Sequence, residues 1–138
     1  MSINYLCPRC KGYLNVGEHL IFNIKTKKPR GGLIFLSPEI DNYQVIKHPH
    51  FELEEGELVE FLCPICHRKI HCTRNPYFAR ILMVDSEYNE FEIMFSRRVG
   101  EKCSFKIKER EVSEFGKHAS RFNNMFKSLQ SNLPFKNL

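Results

Sequence analysis

The amino-acid sequence predicts a mainly β protein with a C-terminal α-helix, and three observations support this prediction. Short apolar or alternating segments recur along the chain, and turn-forming residues separate them. A cysteine motif occurs twice, once near the N-terminus and once near the middle. Only one segment, close to the C-terminus, places apolar residues at helical spacing.

Length and composition are those of an ordinary globular protein. The chain has 138 residues, of which 42% are hydrophobic and 27% are charged, so it can bury a core. With 12 phenylalanines and no tryptophan, Phe must supply much of the aromatic packing. No apolar stretch approaches the roughly 20 residues of a membrane span, and residues 1–6 do not resemble a secretory signal. We therefore expect a cytoplasmic protein without a membrane partner.

The segment between the two cysteine motifs predicts several short strands. Residues 19–25 alternate, so that Leu20, Phe22 and Ile24 share one face. Turn-forming segments rich in Gly, Pro and charged residues separate these strands from one another. The other strands predicted in the first half of the chain are Tyr13–Val16, Leu33–Leu36, Tyr43–Lys47 and Leu58–Leu62.

Three further strands are predicted after residue 75. They are Phe78–Asp85, Phe91–Arg97 and Lys102–Lys108, and their links are short enough to favour an antiparallel meander. We therefore divide the chain into residues 1–75, a second unit over residues 76–130 and a tail over residues 131–138. A single composite domain is the alternative.

The last predicted element is an α-helix that begins near Ser113. The Ser113 hydroxyl would cap the helix, and Glu114 would favour the positive end of the helix dipole. Apolar side chains then follow with a period of 3.6 residues, and Pro134 would prevent continuation. The apolar stripe consists of Phe115, Ala119, Phe122, Phe126 and Leu129.

The duplicated motif predicts a metal site. Residues 7–10 read Cys-Pro-Arg-Cys and residues 63–66 read Cys-Pro-Ile-Cys. A Cys-x-x-Cys turn directs two thiolates to one metal ion, and a second turn completes a tetrahedral shell that leaves no position for a substrate. We therefore predict a structural site of Cys7, Cys10, Cys63 and Cys66, with Zn²⁺ favoured and iron as the alternative.

The two motifs, each followed by a short strand, resemble the knuckles of zinc-ribbon proteins over residues 5–16 and 61–73. The resemblance implies that the same four cysteines hold zinc. Two features depart from the compact pattern: Gly does not directly follow either motif, and 52 residues separate the motifs instead of roughly 15–20. The resemblance therefore implies a zinc ribbon with a β-insertion, packed beside the meander.

The remaining Cys and His residues near the second motif allow other interpretations. His67, His71 and Cys72 could replace or extend the ligand set, but we interpret them as one turn residue and two alternating strand residues. Residues 63–67 also match the c-type haem attachment motif, which would leave Cys7 and Cys10 without a role. A dithiol or iron redox protein is a further alternative, although no βαβ pattern surrounds either pair.

The net charge of +5 permits an acidic partner such as nucleic acid, and the excess of basic residues lies after residue 62. Basic side chains in flexible loops contact phosphate well. The same basic run also fits a solvated loop tip, and the acidic residues within 52–60 would oppose phosphate binding if they lay close by. The candidate nucleic-acid contacts are Lys25, Lys27, Lys28, Arg30, Arg97 and Arg98.

No catalytic motif stands out, and no small-molecule substrate is indicated. Exposed strand edges and the predicted helix offer surfaces for a protein partner. We therefore expect a non-enzymatic adaptor, or a subunit of a protein or ribonucleoprotein complex. A nucleic-acid-binding regulatory protein is the alternative function.

Overall fold

A computed structural model describes residues 3–29 and 31–122, which form two antiparallel β-sheets. The strands are β1 (Asn4–Leu6), β2 (Asn15–Val16), β3 (His19–Lys25), β4 (Gly32–Leu36), β5 (Val45–Lys47), β6 (Glu60–Leu62), β7 (Phe78–Val84), β8 (Glu90–Ser96), β9 (Ser104–Lys108) and β10 (Glu111–Phe115). The chain starts in one sheet with β1, forms the whole second sheet with β2 to β6, and returns to the first sheet with β7 to β10.

The first sheet, here called the meander sheet, has the order β1-β7-β8-β9-β10. The predicted antiparallel meander of β7, β8 and β9 is confirmed, with Ile81 opposite Ile93 and Ile93 opposite Lys106. Strand β1 adds to the other edge of β7, where Tyr5 faces Met83. The N-terminal strand therefore belongs to the same sheet as the second half of the chain.

The second sheet, here called the insertion sheet, has the order β2-β3-β4-β5, and β6 also pairs with β3. Its central strand β3 buries Leu20, Phe22 and Ile24 on one face, as the alternation predicts. Across the sheet, Phe22 pairs with Ile34 of β4 and Ile24 pairs with Phe61 of β6. The segment between the cysteine motifs is therefore a sheet of its own.

Phenylalanine supplies much of the core, as the composition predicts. Between the sheets, the rings of Phe22 and Phe61 lie 5.5 Å apart and those of Phe61 and Phe95 lie 5.1 Å apart, both edge to face. A smaller cluster of buried residues includes Phe78 and Phe105 of the meander sheet. Such edge-to-face pairs add to the free energy gained from burial alone.

The predicted C-terminal α-helix is wrong. Residues Glu111–Phe115 form β10, in which the expected cap Ser113 lies opposite Lys106 of β9. The strand ends just before Gly116, whose φ of 93° is incompatible with a right-handed helix, and a short 3₁₀ helix (Ala119–Phe122) is the only helical element among the described residues. Within the described residues, no helix has the length and apolar character to cross a membrane.

Residues 111–115 form a strand instead of a helix because the edge of β9 that does not pair with β8 was available for pairing. A tight turn at residues 109–110, with Glu109 at a φ of 57°, returns the chain along that edge. The hydrogen bonds of a complete hairpin outweigh a helical pattern of only moderate strength. Two members of the predicted stripe, Phe126 and Leu129, lie outside the described residues.

Candidate metal centre

The two cysteine motifs fold into the same backbone turn. In the first knuckle, residues 7–12, the N–H of Lys11 donates to the carbonyl of Cys7 at 2.9 Å. In the second knuckle, residues 63–68, the N–H of His67 donates to the carbonyl of Cys63 at 2.9 Å. Lys11 and His67 adopt left-handed φ values of 63° and 65°. The sequence repeat is therefore also a structural repeat.

The two turns bring four sulfur atoms together. The Sγ atoms of Cys7 and Cys66 are 3.9 Å apart, and those of Cys10 and Cys63 are 3.8 Å apart. All four lie within 4.8 Å of one another. A tetrahedral ion with bonds of about 2.3 Å to sulfur separates its ligands by about 3.8 Å. The cluster therefore has the dimensions of a tetrathiolate metal site.

Backbone N–H groups point at the first sulfur of each pair. Arg9 and Cys10 donate to the Sγ of Cys7 at 3.3 and 3.5 Å. Ile65 and Cys66 donate to the Sγ of Cys63 at 3.3 and 3.4 Å. Such donors stabilise the negative charge of thiolate ligands and fix their orientation.

The four thiols differ in how readily they ionise. Burial raises the pKa of Cys7, and it raises the pKa of Cys63 to about 12. The backbone N–H of Arg68 lowers the pKa of the Cys66 thiol to about 7. Because metal ligation requires thiolates, a bound cation would supply the positive charge that the buried thiols need.

Each knuckle connects the two sheets. The first knuckle follows β1 of the meander sheet and precedes β2 of the insertion sheet. The second follows β6 of the insertion sheet, and the segment after it returns to β7, where His71 pairs with Ala79. A metal ion at the cysteine cluster would therefore hold together two crossings between the sheets.

The other described cysteines and histidines do not belong to the cluster of four sulfurs. Cys72 and Cys103 are buried in the smaller apolar cluster, as expected for small hydrophobic residues. His67 is exposed, whereas the Nε2 atom of His71 is buried and has no hydrogen-bond partner among residues 3–29 and 31–122. Within the described ranges, the four knuckle cysteines form the only group of metal-ligating side chains close enough to hold an ion.

The basic loop proposed for nucleic-acid contact lies beside acidic residues. Lys28 pairs with Glu52 at 3.6 Å, and the backbone of Lys27 donates to the Glu57 carboxylate at 3.3 Å. Lys25 is exposed at the end of β3. The acidic segment 52–60 thus lies close to this loop, which reduces its attraction for phosphate. Arg30 falls outside the described residues.

The other two candidate contacts differ in exposure. Arg97 is only 8% exposed, and its Nε donates to the carbonyl of Val59 at 2.8 Å. Arg98 reaches solvent, and its Nε donates to the Tyr77 hydroxyl at 2.8 Å. Of these two guanidinium groups, only that of Arg98 is accessible to a large partner.

A basic surface on the knuckles themselves was missed by the sequence analysis. Arg9, Lys11 and Arg68 are exposed beside the cysteine cluster, and Tyr13 next to them is 66% exposed. Their signal was present, because each basic residue follows or lies within a cysteine motif. The run at residues 25–30 is more densely basic in the sequence, whereas the knuckle cations are separated along the chain.

Comparison with protein-family models, with curated proteins and with solved structures finds no match for this chain. The metal centre is therefore inferred from the positions of its four sulfur atoms.

Proposed function

We propose that this chain is a non-enzymatic, zinc-stabilised binding module that serves in the cytoplasm as an adaptor or as a subunit of a protein or ribonucleoprotein complex. The observation that carries the proposal is the set of four thiol sulfurs within 4.8 Å of one another. Four protein ligands fill a tetrahedral shell, so no coordination position remains for a substrate. The metal would therefore act on stability rather than on chemistry.

Metal analysis of the purified chain tests the first part of this proposal. We expect one zinc ion per chain after expression without added metal, and a colourless protein. Replacement by Co²⁺ should produce the visible bands of a tetrahedral tetrathiolate. Iron at one ion per chain, with a coloured protein, would favour the redox alternative, and a chain without metal would contradict the site.

The outer face of the insertion sheet supports the adaptor role. Ile46 is 54% exposed and lies opposite Phe35 of the neighbouring strand, while Leu33 nearby is 50% exposed. Strand β5 also forms an edge of this sheet. An exposed apolar face beside an open strand edge is a common site of protein association.

Substitution on this face tests the adaptor role. We expect Ile46→Lys to abolish capture of a defined partner protein from lysate without changing the melting temperature. Leu58→Lys is the matched control, because Leu58 is an exposed apolar residue outside the sheet face, with 43% exposure. Equal capture by both variants would contradict this surface. Loss of capture after nuclease treatment would instead indicate nucleic acid.

The basic surface of the knuckles favours nucleic acid as a second candidate partner. Three exposed cations and one exposed tyrosine lie within or just after the two cysteine motifs, and such residues contact phosphates and stack on bases. We expect the double variant Lys11→Met, Arg68→Met to weaken RNA binding and to flatten its salt dependence. Lys28→Met is the control, because Lys28 already pairs with Glu52. Unchanged binding in the double variant would rule out this surface.

A further inference from the structure

A cavity of about 190 Å³ lies between the inner faces of the two sheets. Its deep wall is apolar and receives Leu20 and Ile34 from the insertion sheet and Ile81 and Ile93 from the meander sheet. The lining residues that reach solvent belong to segments 37–45 and 97–102. The cavity therefore opens between these two segments, on a part of the molecule that the metal centre does not use.

The deep wall favours an organic ligand over water. A buried water needs two to four polar partners, and the hydrocarbon side chains of Leu20, Ile34 and Ile81 supply none. Apolar cavities of about 150 Å³ bind molecules the size of benzene. By the same measure, an apolar body of roughly six to ten carbon atoms fits this cavity.

A buried cation at the cavity wall specifies the charge of such a ligand. Arg97 lines the cavity at 8% exposure, and its Nε and Nη1 atoms donate to the carbonyls of Val59 and Pro76. Among the described residues Arg97 forms no ion pair, and Glu60, which acts on it electrostatically, pairs with Lys69 at 2.9 Å. Buried charges are normally paired, so this guanidinium favours an anionic neighbour.

The opening of the cavity carries two cations that are not engaged in ion pairs among the described residues. Arg98 and Lys102 are exposed there and form no ion pair within the part of the chain that is described. Glu101 is already engaged, since it accepts from Tyr77 at 2.7 Å and pairs with Arg121 at 2.5 Å. The charged groups at the opening are nearly balanced, with Arg98, Lys102 and Arg121 near Glu39, Glu55, Glu101 and the neighbouring Asp41, so the unpaired charge that the described residues leave inside the cavity is that of Arg97.

We infer that this cavity binds a small monocarboxylic acid with an apolar body. The carboxylate contacts the guanidinium of Arg97, and the body lies against Ile34, Ile81 and Ile93. Arg98 and Lys102 attract the anion at the opening. This assignment goes beyond the proposed zinc-stabilised module, because it gives the inter-sheet space a ligand of its own.

Calorimetric titration of the full metal-loaded chain with octanoate tests the inference. We expect one octanoate per chain, bound at least tenfold more tightly than 1-octanol, which has the same chain length but no charge. Octanoate should also raise the melting temperature. Equal binding of the two compounds would show that Arg97 does not select an anion. Absence of octanoate binding at millimolar concentration would overturn the site.

A substitution at the opening locates the ligand without disturbing the core. Val45 lines the cavity and is 46% exposed, so the indole of Val45→Trp can cover the opening. We expect at least tenfold weaker octanoate binding with an unchanged melting temperature. Wild-type affinity in this variant would place octanoate elsewhere and overturn the inference.

Two charge variants test the role of the cations. Arg97→Gln should reduce octanoate affinity to that of 1-octanol, and circular dichroism would establish that it folds. If it does not fold, Val45→Trp and Lys102→Met decide the question. Lys102→Met should weaken octanoate binding severalfold. Lys11→Met should not, because Lys11 is an exposed knuckle residue that does not line the cavity. Equal weakening by both would indicate unspecific charge attraction and would overturn the inference.

Discussion

Single cysteine side chains decide whether the metal shell closes. Cys66 contributes one of four sulfurs that lie within 4.8 Å of one another, and the N–H of Arg68 holds its pKa at about 7. Cys66→Ser should reduce the metal content well below one ion per chain. It should also lower the free energy of unfolding by about 3 kcal/mol or more, because metal binding is coupled to folding.

The matched control for this prediction is Cys103→Ala. Cys103 is fully buried but lies in the smaller apolar cluster, away from the four sulfurs. Its loss should cost about 1 kcal/mol through a small cavity and leave the metal content unchanged. Metal analysis and urea unfolding of the two variants distinguish the roles. Full metal content in Cys66→Ser would contradict the four-cysteine site.

His71 should make the stability of the protein depend on pH. Burial lowers its pKa from 6.5 to about 4, and its buried Nε2 has no hydrogen-bond partner in the described part of the chain. Since the unfolded chain takes up the proton first, the contribution of His71 is complete above pH 6.5 and is lost as the pH falls towards 4. Between pH 7.5 and 5.5 we expect a loss of about 1 kcal/mol.

Urea unfolding of wild type and of His71→Gln over this range measures the effect. The glutamine variant cannot take up the proton, so its stability should fall less steeply with acid. The range ends at pH 5.5 so that both proteins retain their metal, which direct metal analysis at each pH verifies. Parallel pH profiles for the two proteins would contradict the assignment.

At the level of the elements, sequence patterns predicted the strands well wherever a strand alternates and is bounded by turns. Strand β3 occupies the predicted residues 19–25, and the meander strands deviate by only one or two residues at their ends. The pairing of β1 with β7 could not be predicted, because three residues carry no signal for a partner almost 80 positions away. Local patterns specify an element, whereas long-range pairing depends on the complete sheet.

The prediction of a C-terminal helix was wrong for the same reason, because local patterns do not reveal strand pairing. The spacing of Phe115, Ala119 and Phe122 suits a helix, yet β10 is stabilised by the edge of β9, which the local pattern cannot reveal. The cluster of four cysteines was easier to predict, because two short motifs determine their own turns. The cavity and its buried Arg97 left no sequence signal, since they arise where two sheets meet.

Gly116 enforces the end of β10, and its substitution tests that interpretation. A Cβ at this position would lie 2.3 Å from the carbonyl oxygen of Lys102 and 2.6 Å from the hydroxyl of Tyr43, at a φ of 93°. We expect Gly116→Ala to cost about 2–4 kcal/mol in urea unfolding, through both the clash and the strained backbone.

Gly17 offers the control for the backbone contribution. Its φ is 59°, but a Cβ there would meet nothing within 4 Å. Gly17→Ala should therefore cost only about 1 kcal/mol. If the two substitutions cost the same, the contacts at residue 116 do not contribute to the end of β10.

For the stability of the whole molecule, the position of the cysteine cluster between the two sheets is more important than its size. Both knuckles lie where the chain crosses between the sheets, and the larger apolar cluster receives buried residues from both, including Phe22, Ile81 and Ile93. A metal ion at the cysteine cluster and the shared core would therefore act on the same junction. Loss of the ion should loosen the contact between the sheets first, before the interior of either sheet.

Hydrogen exchange with and without a chelator tests this order of events. Metal removal should lower the melting temperature by about 10 °C or more. The amides of β1 and β6, the strands that enter the knuckles, should lose protection strongly. Those of β8 and β9 should change less, because neither strand leads into a knuckle and their pairing, as in Met94 opposite Phe105, does not involve the four knuckle cysteines. Uniform loss of protection would mean that the metal supports the whole fold as one cooperative unit, and loss confined to residues 7–12 and 63–68 would mean that the ion merely orders the two turns.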